Sequence, residues 1–231
     1  MSEKWVEISV SGNGAFSGYL VLPPKGTGPG IVLVQEIWGV NRHIRLVAEQ
    51  YALAGYVVLA PDVFWRQERR VELTYDQAGS ARARKLRGGL DDTQAGADVS
   101  QAAEYLRARP EVEGKVGAVG FCLGGQLAYR AAATGSVDVA VAYYGGGIAQ
   151  NLDLADQIEQ PFLFHHAEHD SLIPLDAVHE IKQRFEGHGN TVFFEYPGVD
   201  HGFNCSERPA YDQKAAALAH GRTLVFLSQN L

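Results

Sequence analysis

Short apolar runs alternate along the chain with longer segments in which apolar residues recur at helical spacing. The runs are too short for helices, and an uninterrupted apolar run of this length is typical of a buried strand. They lie at residues 31–34, 56–60, 116–121, 137–144, 161–165 and 191–196. The spaced segments predict helices at residues 43–54, 91–107, 126–133, 175–185 and 210–227.

From residue 31 onward the predicted strands and helices alternate. Such alternation is typical of a mostly parallel sheet with helices on both faces. Two earlier extended runs, at 5–10 and 18–22, are separated by turn-forming residues at 11–14, so they predict an opening hairpin or a pair of edge strands. We expect a doubly wound, mostly parallel sheet of about eight strands in a single domain over residues 1–231.

Residues 65–85 depart from this pattern because they are polar, carry charges of both signs and show no clear period. The basic residues of this segment and just beyond it are Arg66, Arg69, Arg70, Arg82, Arg84, Lys85 and Arg87. Two interpretations are open. The segment is a solvated surface, or it passes over an active site and recognises an anionic group.

Composition narrows the possible partners. The chain has 231 residues, 46% of them hydrophobic, and a net charge of −7. Nucleic acids and anionic membranes bind basic surfaces, so neither is expected as a partner. We expect a cytoplasmic protein, because no secretory signal follows Met1, no apolar run is long enough to span a bilayer and two cysteines make no disulfide scaffold. It is expected to be a monomer or a small homo-oligomer.

A possible nucleophile lies between the predicted strand at 116–121 and the helix that follows it. Gly120, Cys122 and Gly124 form a G-x-C-x-G pattern, with cysteine in the position that serine occupies in a nucleophile elbow. Glycines on either side let the backbone make the sharp turn that exposes such a side chain. The alternative is a buried apolar cysteine, which is what most free cysteines are.

Two further groups follow the ends of predicted strands. Asp170 comes after the strand at 161–165, and His201 comes after the strand at 191–196. Catalytic groups of open α/β sheets collect at the carboxyl ends of strands, and the order nucleophile, acid, histidine occurs on α/β-hydrolase sheets. We therefore predict a triad in which His201 is the base for the Cys122 thiol and Asp170 orients the imidazole.

The same chemistry needs donors for the oxyanion. The backbone N–H of Leu123, directly after the nucleophile, is one candidate, and the N–H of Ile37 in the loop after the first buried strand is the other. Glu36 precedes Ile37, and a carboxylate is out of place at the end of an apolar strand. Taken alone, it is a solvated loop residue or it faces the site.

These residues together resemble the dienelactone hydrolases (carboxymethylenebutenolidases) of the α/β-hydrolase superfamily. The resemblance covers nearly the whole chain and rests on QEIWGVN at 35–41, PD at 61–62, KVGAVGFCLGG at 115–125, YYG at 143–145, Asp170 before Pro174, and DHGF at 200–203. It implies an α/β-hydrolase fold and a cysteine esterase that opens an enol-lactone. It also implies that Glu36 pairs with the resting thiol and that Ile37 supplies the second oxyanion donor.

The chain departs from the family pattern where substrate is recognised. The family places one arginine four residues after the catalytic histidine, where this chain has Cys205, and another near the position of Ser80. Arg82 and Arg84 lie close to that second position but out of register, and we predict that they hold an anionic substrate from another angle. Trp38 and Phe203 are predicted to line the pocket.

The predicted function is hydrolysis of a small ester or lactone through a Cys-His-Asp triad and an acyl-cysteine intermediate, with no cofactor. One alternative is a general carboxylesterase that is not specific for dienelactone, and another is a non-catalytic binding member of the fold. No metal site is predicted. The HxxEH pattern at residues 165–169 lies on a predicted strand, whereas zinc peptidases place such histidines on one face of a helix.

Overall fold

The computed structural model describes residues 3–10 and 14–231, and within them a single sheet is flanked by helices. Its strands are β1 (Glu3–Val10), β2 (Gly14–Val21), β3 (Gly28–Val34), β4 (Val57–Pro61), β5 (Val112–Phe121), β6 (Val139–Tyr143), β7 (Phe162–Ala167) and β8 (Thr191–Tyr196). Its α-helices are α1 (Arg42–Leu53), α2 (Gln77–Gly88), α3 (Asp92–Arg107), α4 (Leu123–Ala133), α5 (Leu175–Arg184) and α6 (Gln213–Asn230). A 3₁₀ segment, Ala149–Gln157, precedes β7.

The sheet has the strand order β1-β2-β4-β3-β5-β6-β7-β8. β1 pairs with β2 and β2 with β4 in antiparallel fashion, and every later neighbour pair is parallel. The predicted doubly wound, mostly parallel sheet of eight strands is therefore confirmed. Of the turn predicted at 11–14, residues 11–13 lie outside the described part of the chain.

Each face of the sheet has its own core, because side chains along a strand point alternately to the two faces. In β3, Val32 and Val34 join the apolar cluster under α3 and α4, whereas Ile31 and Leu33 join the cluster under α1 and α6. The stripe predicted for the long helix is fully buried in the first cluster. It consists of Ala95, Val99, Ala102, Ala103 and Leu106.

The segment at 65–85 contains a helix that its sequence pattern did not reveal. Asp76 caps the N-terminus of α2, and its Oδ1 accepts a hydrogen bond from the Gly79 N–H at 2.7 Å. Only Gly79, Ala83 and Leu86 of α2 are buried, so the helix has no apolar stripe for a periodicity argument to find. Before α2, Trp65 and Arg66 both bond to the buried carboxylate of Asp98 on α3.

The carboxyl ends of the parallel strands carry the groups of interest. Glu36 follows β3, Cys122 follows β5, Asp170 follows β7 and His201 follows β8. Since the parallel strands end at one edge of the sheet, the fold brings these four residues to that edge. None of the helices in the described residues has the length and apolar character needed to cross a membrane.

Candidate active site

Cys122 occupies a strained turn between β5 and α4. Its backbone has φ 54°, in the left-handed region, where a residue with a side chain is uncommon. A Cβ on Gly120 would lie 1.9 Å from the Gly124 carbonyl oxygen, and one on Gly124 would lie 2.1 Å from the Val34 carbonyl oxygen. Both glycines are therefore required by close backbone contacts, and these contacts hold the start of α4 against the end of β3.

Asp170 and His201 form a buried pair. Nδ1 of His201 lies 2.7 Å from Oδ2 of Asp170, while Oδ1 of Asp170 accepts hydrogen bonds from the N–H groups of Leu172 (2.9 Å) and Ile173 (3.1 Å). The bond to Nδ1 fixes the ring orientation, and Nε2 has no hydrogen-bond partner in the described part of the chain. The second nitrogen of His201 is thus available for proton transfer.

The environment of His201 favours its protonated form. Burial alone lowers the pKa of the imidazole, but a negative charge on Cys122 and the hydrogen bond that the ring donates to Asp170 outweigh burial and raise the pKa to about 10. A thiolate beside an imidazolium is the state in which a cysteine acts as a nucleophile.

The predicted oxyanion donors lie on either side of the same contact. Leu123 is the first residue of α4, so no carbonyl of the helix is in position to accept a hydrogen bond from its N–H. Ile37 lies in the turn after β3, two residues after Gln35, whose carbonyl oxygen would be 2.7 Å from a Cβ on Gly124. The turn and the first turn of α4 are therefore neighbours, and the role of both amides stays a prediction.

Glu36 is buried in an ion pair. Its side chain is 1% exposed, and Oε1 accepts a hydrogen bond from Nη1 of Arg208 at 3.1 Å. Oε2 accepts a second one from the Tyr75 hydroxyl at 3.2 Å. The resemblance implies a contact between Glu36 and the thiol of Cys122. In this conformation, however, one carboxylate oxygen is bonded to Arg208 and the other to Tyr75.

Arg208 and Tyr75 are site residues that the sequence analysis missed. The guanidinium of Arg208 lies 5.0 Å from the Trp38 ring centroid, and the Tyr75 ring lies 4.8 Å from the same ring. A Cβ on Gly202, which has φ 88°, would lie 2.0 Å from Nη1 of Arg208, so glycine next to His201 makes room for this side chain. The sequence offered one signal for Arg208, an arginine three residues after Cys205, the position where the family has an arginine.

The predicted substrate-binding residues are distributed unevenly. Trp38 is at the site, where its ring lies close to both Arg208 and Tyr75. Phe203 is fully buried, with its ring 5.4 Å from that of Tyr144, which in turn lies 5.0 Å from the His201 ring. It therefore contacts the site through Tyr144 and does not line an open pocket, contrary to the prediction.

Arg82 and Arg84 are exposed on α2, and Arg82 pairs with Glu68 at the surface. The structure does not show either of them in contact with Glu36 or Cys122, and their predicted role in binding substrate stays untested. The HxxEH pattern falls partly on β7. There the ring nitrogens of His165 lie 2.8 Å from the Tyr196 hydroxyl and 2.9 Å from the Thr223 hydroxyl.

Comparisons with known proteins agree on one family. The profile of the Dienelactone hydrolase family matches residues 16–231. Carboxymethylenebutenolidase 1 of Cupriavidus pinatubonensis is 36% identical over 225 residues, which cover 96% of this chain and 95% of that protein. Carboxymethylenebutenolidase of Pseudomonas putida is 35% identical over 214 residues, covering 92% of this chain and 91% of that protein.

Solved structures show the same fold. A provisionally named dienelactone hydrolase from Klebsiella pneumoniae has a TM-score of 0.85 and 27% identity, and the match covers 99% of this chain and 100% of that one. An esterase of Pyrococcus furiosus has a TM-score of 0.73 and 19% identity, with 99% and 93% covered. The fold is thus the α/β-hydrolase fold that the resemblance implies.

The family profile, the curated relatives and the solved structures all match nearly the whole length of the chain. The chain belongs to the dienelactone hydrolase family and is a hydrolase that acts on ester or lactone bonds.

Proposed function

We propose that the chain hydrolyses a small ester or lactone through an acyl-cysteine intermediate formed on Cys122. The observation that carries the proposal is the strained backbone of Cys122 at φ 54°, on the same sheet edge as the bonded His201–Asp170 pair. A residue with a side chain holds such a conformation only where its surroundings require it, and strain of this kind collects at functional sites. The turn presents the thiol at the start of α4.

In the first step, Nε2 of His201 takes the thiol proton and the Cys122 sulfur attacks the acyl carbon. The ester carbonyl becomes an oxyanion, which the N–H groups of Leu123 and Ile37 stabilise. The carbon–oxygen bond of the ester or lactone then breaks, and His201 returns the proton to the leaving oxygen. Asp170 keeps Nδ1 bonded throughout and stabilises the imidazolium.

In the second step, a water molecule attacks the thioester. His201 accepts a proton from this water and returns it to the sulfur as the carbon–sulfur bond breaks. The products are a carboxylic acid and the free thiol. With a lactone, the leaving oxygen stays in the same molecule, so one ring-opened hydroxy or enol acid is released.

The substrate we favour carries a carboxylate close to the scissile bond. Arg208 is the charged group in the site that can receive it, because its guanidinium already binds the Glu36 carboxylate beside the turn that carries Ile37. A guanidinium binds carboxylates through charge-assisted hydrogen bonds. Dienelactone, the substrate that the names of the curated relatives indicate, is an anion of this kind.

A general carboxylesterase is the second candidate. It is favoured by the replacement of both family arginines, at Ser80 and Cys205, and by the surface position of Arg82. The two candidates differ in the expected ratio of activities. An anion-specific enzyme prefers dienelactone to neutral p-nitrophenyl acetate, and a general esterase does not.

The test is a parallel assay of wild type and Cys122→Ala on both substrates, with mass spectrometry of the wild-type protein quenched during turnover. We expect both activities to vanish in the variant. The quenched wild-type protein should gain the mass of the acyl group, and digestion should place that mass on the peptide that contains Cys122. Activity that survives in Cys122→Ala contradicts the acyl-cysteine route. A wild type that turns over neither compound favours the non-catalytic alternative.

A further inference from the structure

A cluster of metal-binding side chains lies behind the Glu36–Arg208 ion pair. Glu36, His43 and Cys205 each offer one donor atom, and the three atoms lie within 4.8 Å of one another. All three residues are buried, with exposures of 1%, 4% and 0%. They come from the turn after β3, the first turn of α1 and the loop after β8. The proposed hydrolysis gives no role to His43 or Cys205.

His43 indicates that the cluster is an incomplete polar site and not merely a packed corner. Its Nε2 is buried, and among the described residues it has no hydrogen-bond partner. Buried polar atoms are nearly always bonded, so an unpaired ring nitrogen calls for an explanation.

The donor set favours a particular class of cation. Carboxylate, imidazole and thiolate together suit zinc and related soft or borderline divalent ions, whereas magnesium and calcium prefer oxygen donors alone. Bond lengths of 2.0–2.3 Å place tetrahedral zinc donors about 3.5 Å apart, so the three atoms must close by about an ångström. A fourth position would remain for water.

Arg208 competes with such a cation. Its guanidinium holds Oε1 of Glu36 at 3.1 Å, and a metal ion on the same carboxylate would repel it. The Arg208 side chain is 17% exposed and belongs to a loop, so it can turn toward solvent when Glu36 is taken. The ion pair and the metal complex are therefore alternative states of one carboxylate.

A cavity adjoins the cluster on one side. A cavity of about 450 Å³ lies between α1 and α6, and His43, Asn204, Ser206 and His220 contribute to its wall. His43 belongs both to this wall and to the cluster, so the cavity adjoins the donor set at this residue.

We propose that Glu36, His43 and Cys205 bind a soft or borderline divalent cation, with Zn²⁺ as its natural type, and that binding displaces Arg208 from Glu36. Cys205 gives its proton to solvent as the metal–sulfur bond forms. Glu36 exchanges its bond to Arg208 for a bond to the metal. The binding itself is independent of the proposed hydrolysis, whereas its consequence for activity, reversible inhibition, rests on it.

The test is a titration with Cd²⁺, which gives an ultraviolet charge-transfer band when a thiolate binds it. Cys122→Ala is the reference chain, because it leaves Cys205 as the one thiol in the sequence. We expect the reference to bind one Cd²⁺ per chain with this band. On that background, Cys205→Ser loses the band and His43→Gln binds at least about tenfold more weakly. Arg208→Gln binds more tightly, because the competing guanidinium is gone.

Three outcomes overturn the proposal. A reference chain without the band shows that Cys205 does not bind the metal. If the band appears but His43→Gln binds Cd²⁺ as tightly as the reference, the metal is bound by the Cys205 thiol alone and not by the proposed cluster. If Arg208→Gln binds Cd²⁺ no more tightly than the reference, Arg208 does not compete with the metal for Glu36. Each of these outcomes is measured on the reference chain, His43→Gln or Arg208→Gln. The test therefore remains valid if Cys205→Ser does not fold. Inhibition is measured separately, on the wild-type protein. We expect Zn²⁺ to abolish its esterase activity and a chelator to restore it.

Discussion

The site contains two buried carboxylates that are held in different ways. Asp170 accepts hydrogen bonds from two backbone N–H groups of its own loop as well as bonding His201. Among the residues that the structure describes, the Glu36 carboxylate is bonded by side chains, those of Arg208 and Tyr75, which come from distant parts of the chain. Backbone donors keep their position as long as the loop is folded, whereas side-chain donors can be withdrawn by a change of rotamer.

This difference separates a fixed pair from an exchangeable one. The Asp170–His201 pair must keep its geometry through both steps of the proposed reaction, and the loop supplies that constancy. The Glu36–Arg208 pair can open when another anion or cation competes for either partner. We infer that the first pair sets the rate of the chemistry and that the second controls what binds.

Breaking the fixed pair has the largest expected effect. In Asp170→Asn the amide cannot stabilise the imidazolium and favours the wrong ring tautomer, so kcat should fall by about 10⁴-fold with little change in KM. Steady-state kinetics on p-nitrophenyl acetate measures this, with Tm as the control for folding. A loss of less than about tenfold would show that Asp170 is not the orienting carboxylate.

Breaking the exchangeable pair should affect binding more than chemistry. Arg208→Gln removes a charged hydrogen bond to the substrate carboxylate, so KM for dienelactone should rise by about 10- to 100-fold. The kinetic constants for p-nitrophenyl acetate should change far less. The matched control is Arg82→Gln on the surface of α2, which should leave KM for dienelactone near the wild-type value.

The same substitution tests the burial of Glu36. Arg208→Gln leaves a buried carboxylate without its cation, which should lower Tm by roughly 5–10 °C. The double variant Glu36→Gln/Arg208→Gln should recover part of this loss. If the Tm of the double variant is no higher than that of Arg208→Gln, the loss of stability does not come from the unpaired charge of Glu36 alone.

Tyr75→Phe is expected to have a smaller effect. Without the hydroxyl, Glu36 depends more on Arg208, so the guanidinium is held more tightly and a substrate anion competes less well. We expect KM for dienelactone to rise by about two- to fivefold, the equivalent of one weakened hydrogen bond. Initial-rate kinetics on dienelactone measures it, and a fall in KM would reverse the proposed competition.

The pH dependence of stability tests the Asp170–His201 pair without an activity assay. The pKa of His201 rises from its usual 6.5 to about 10 in the folded protein. Between these values the folded state binds the proton and the unfolded state does not. The resulting stabilisation is present below pH 6.5 and is lost as the pH rises toward 10. Urea unfolding across this range should show the decline, and Asp170→Asn should show less of it.

The parallel strands and the elbow were predictable because local sequence determines them. Buried parallel strands read as apolar runs such as residues 31–34, and the G-x-C-x-G spacing reflects backbone contacts within a few residues. Asp170 and His201 could be placed because each lies in the loop that follows a predicted strand. These features depend on short stretches whose chemistry is visible in order along the chain.

Arg208, Tyr75 and α2 could not be predicted in the same way. Arg208 reaches Glu36 across 172 positions of sequence and through a loop with no periodic pattern. Tyr75 lies in a segment whose anchor, Asp98, is on another helix. Helix α2 buries too few side chains to show a stripe. Each of these depends on contacts that exist only after the chain has folded.

A crystal structure of Cys122→Ala with dienelactone bound would test most directly whether one pair is fixed and the other exchangeable. We expect the guanidinium of Arg208 to bind the ligand carboxylate and to leave Oε1 of Glu36, while the His201–Asp170 distance stays at 2.7 Å. A ligand carboxylate bound to Arg82 or Arg84, with the Arg208–Glu36 bond intact, would contradict this distinction.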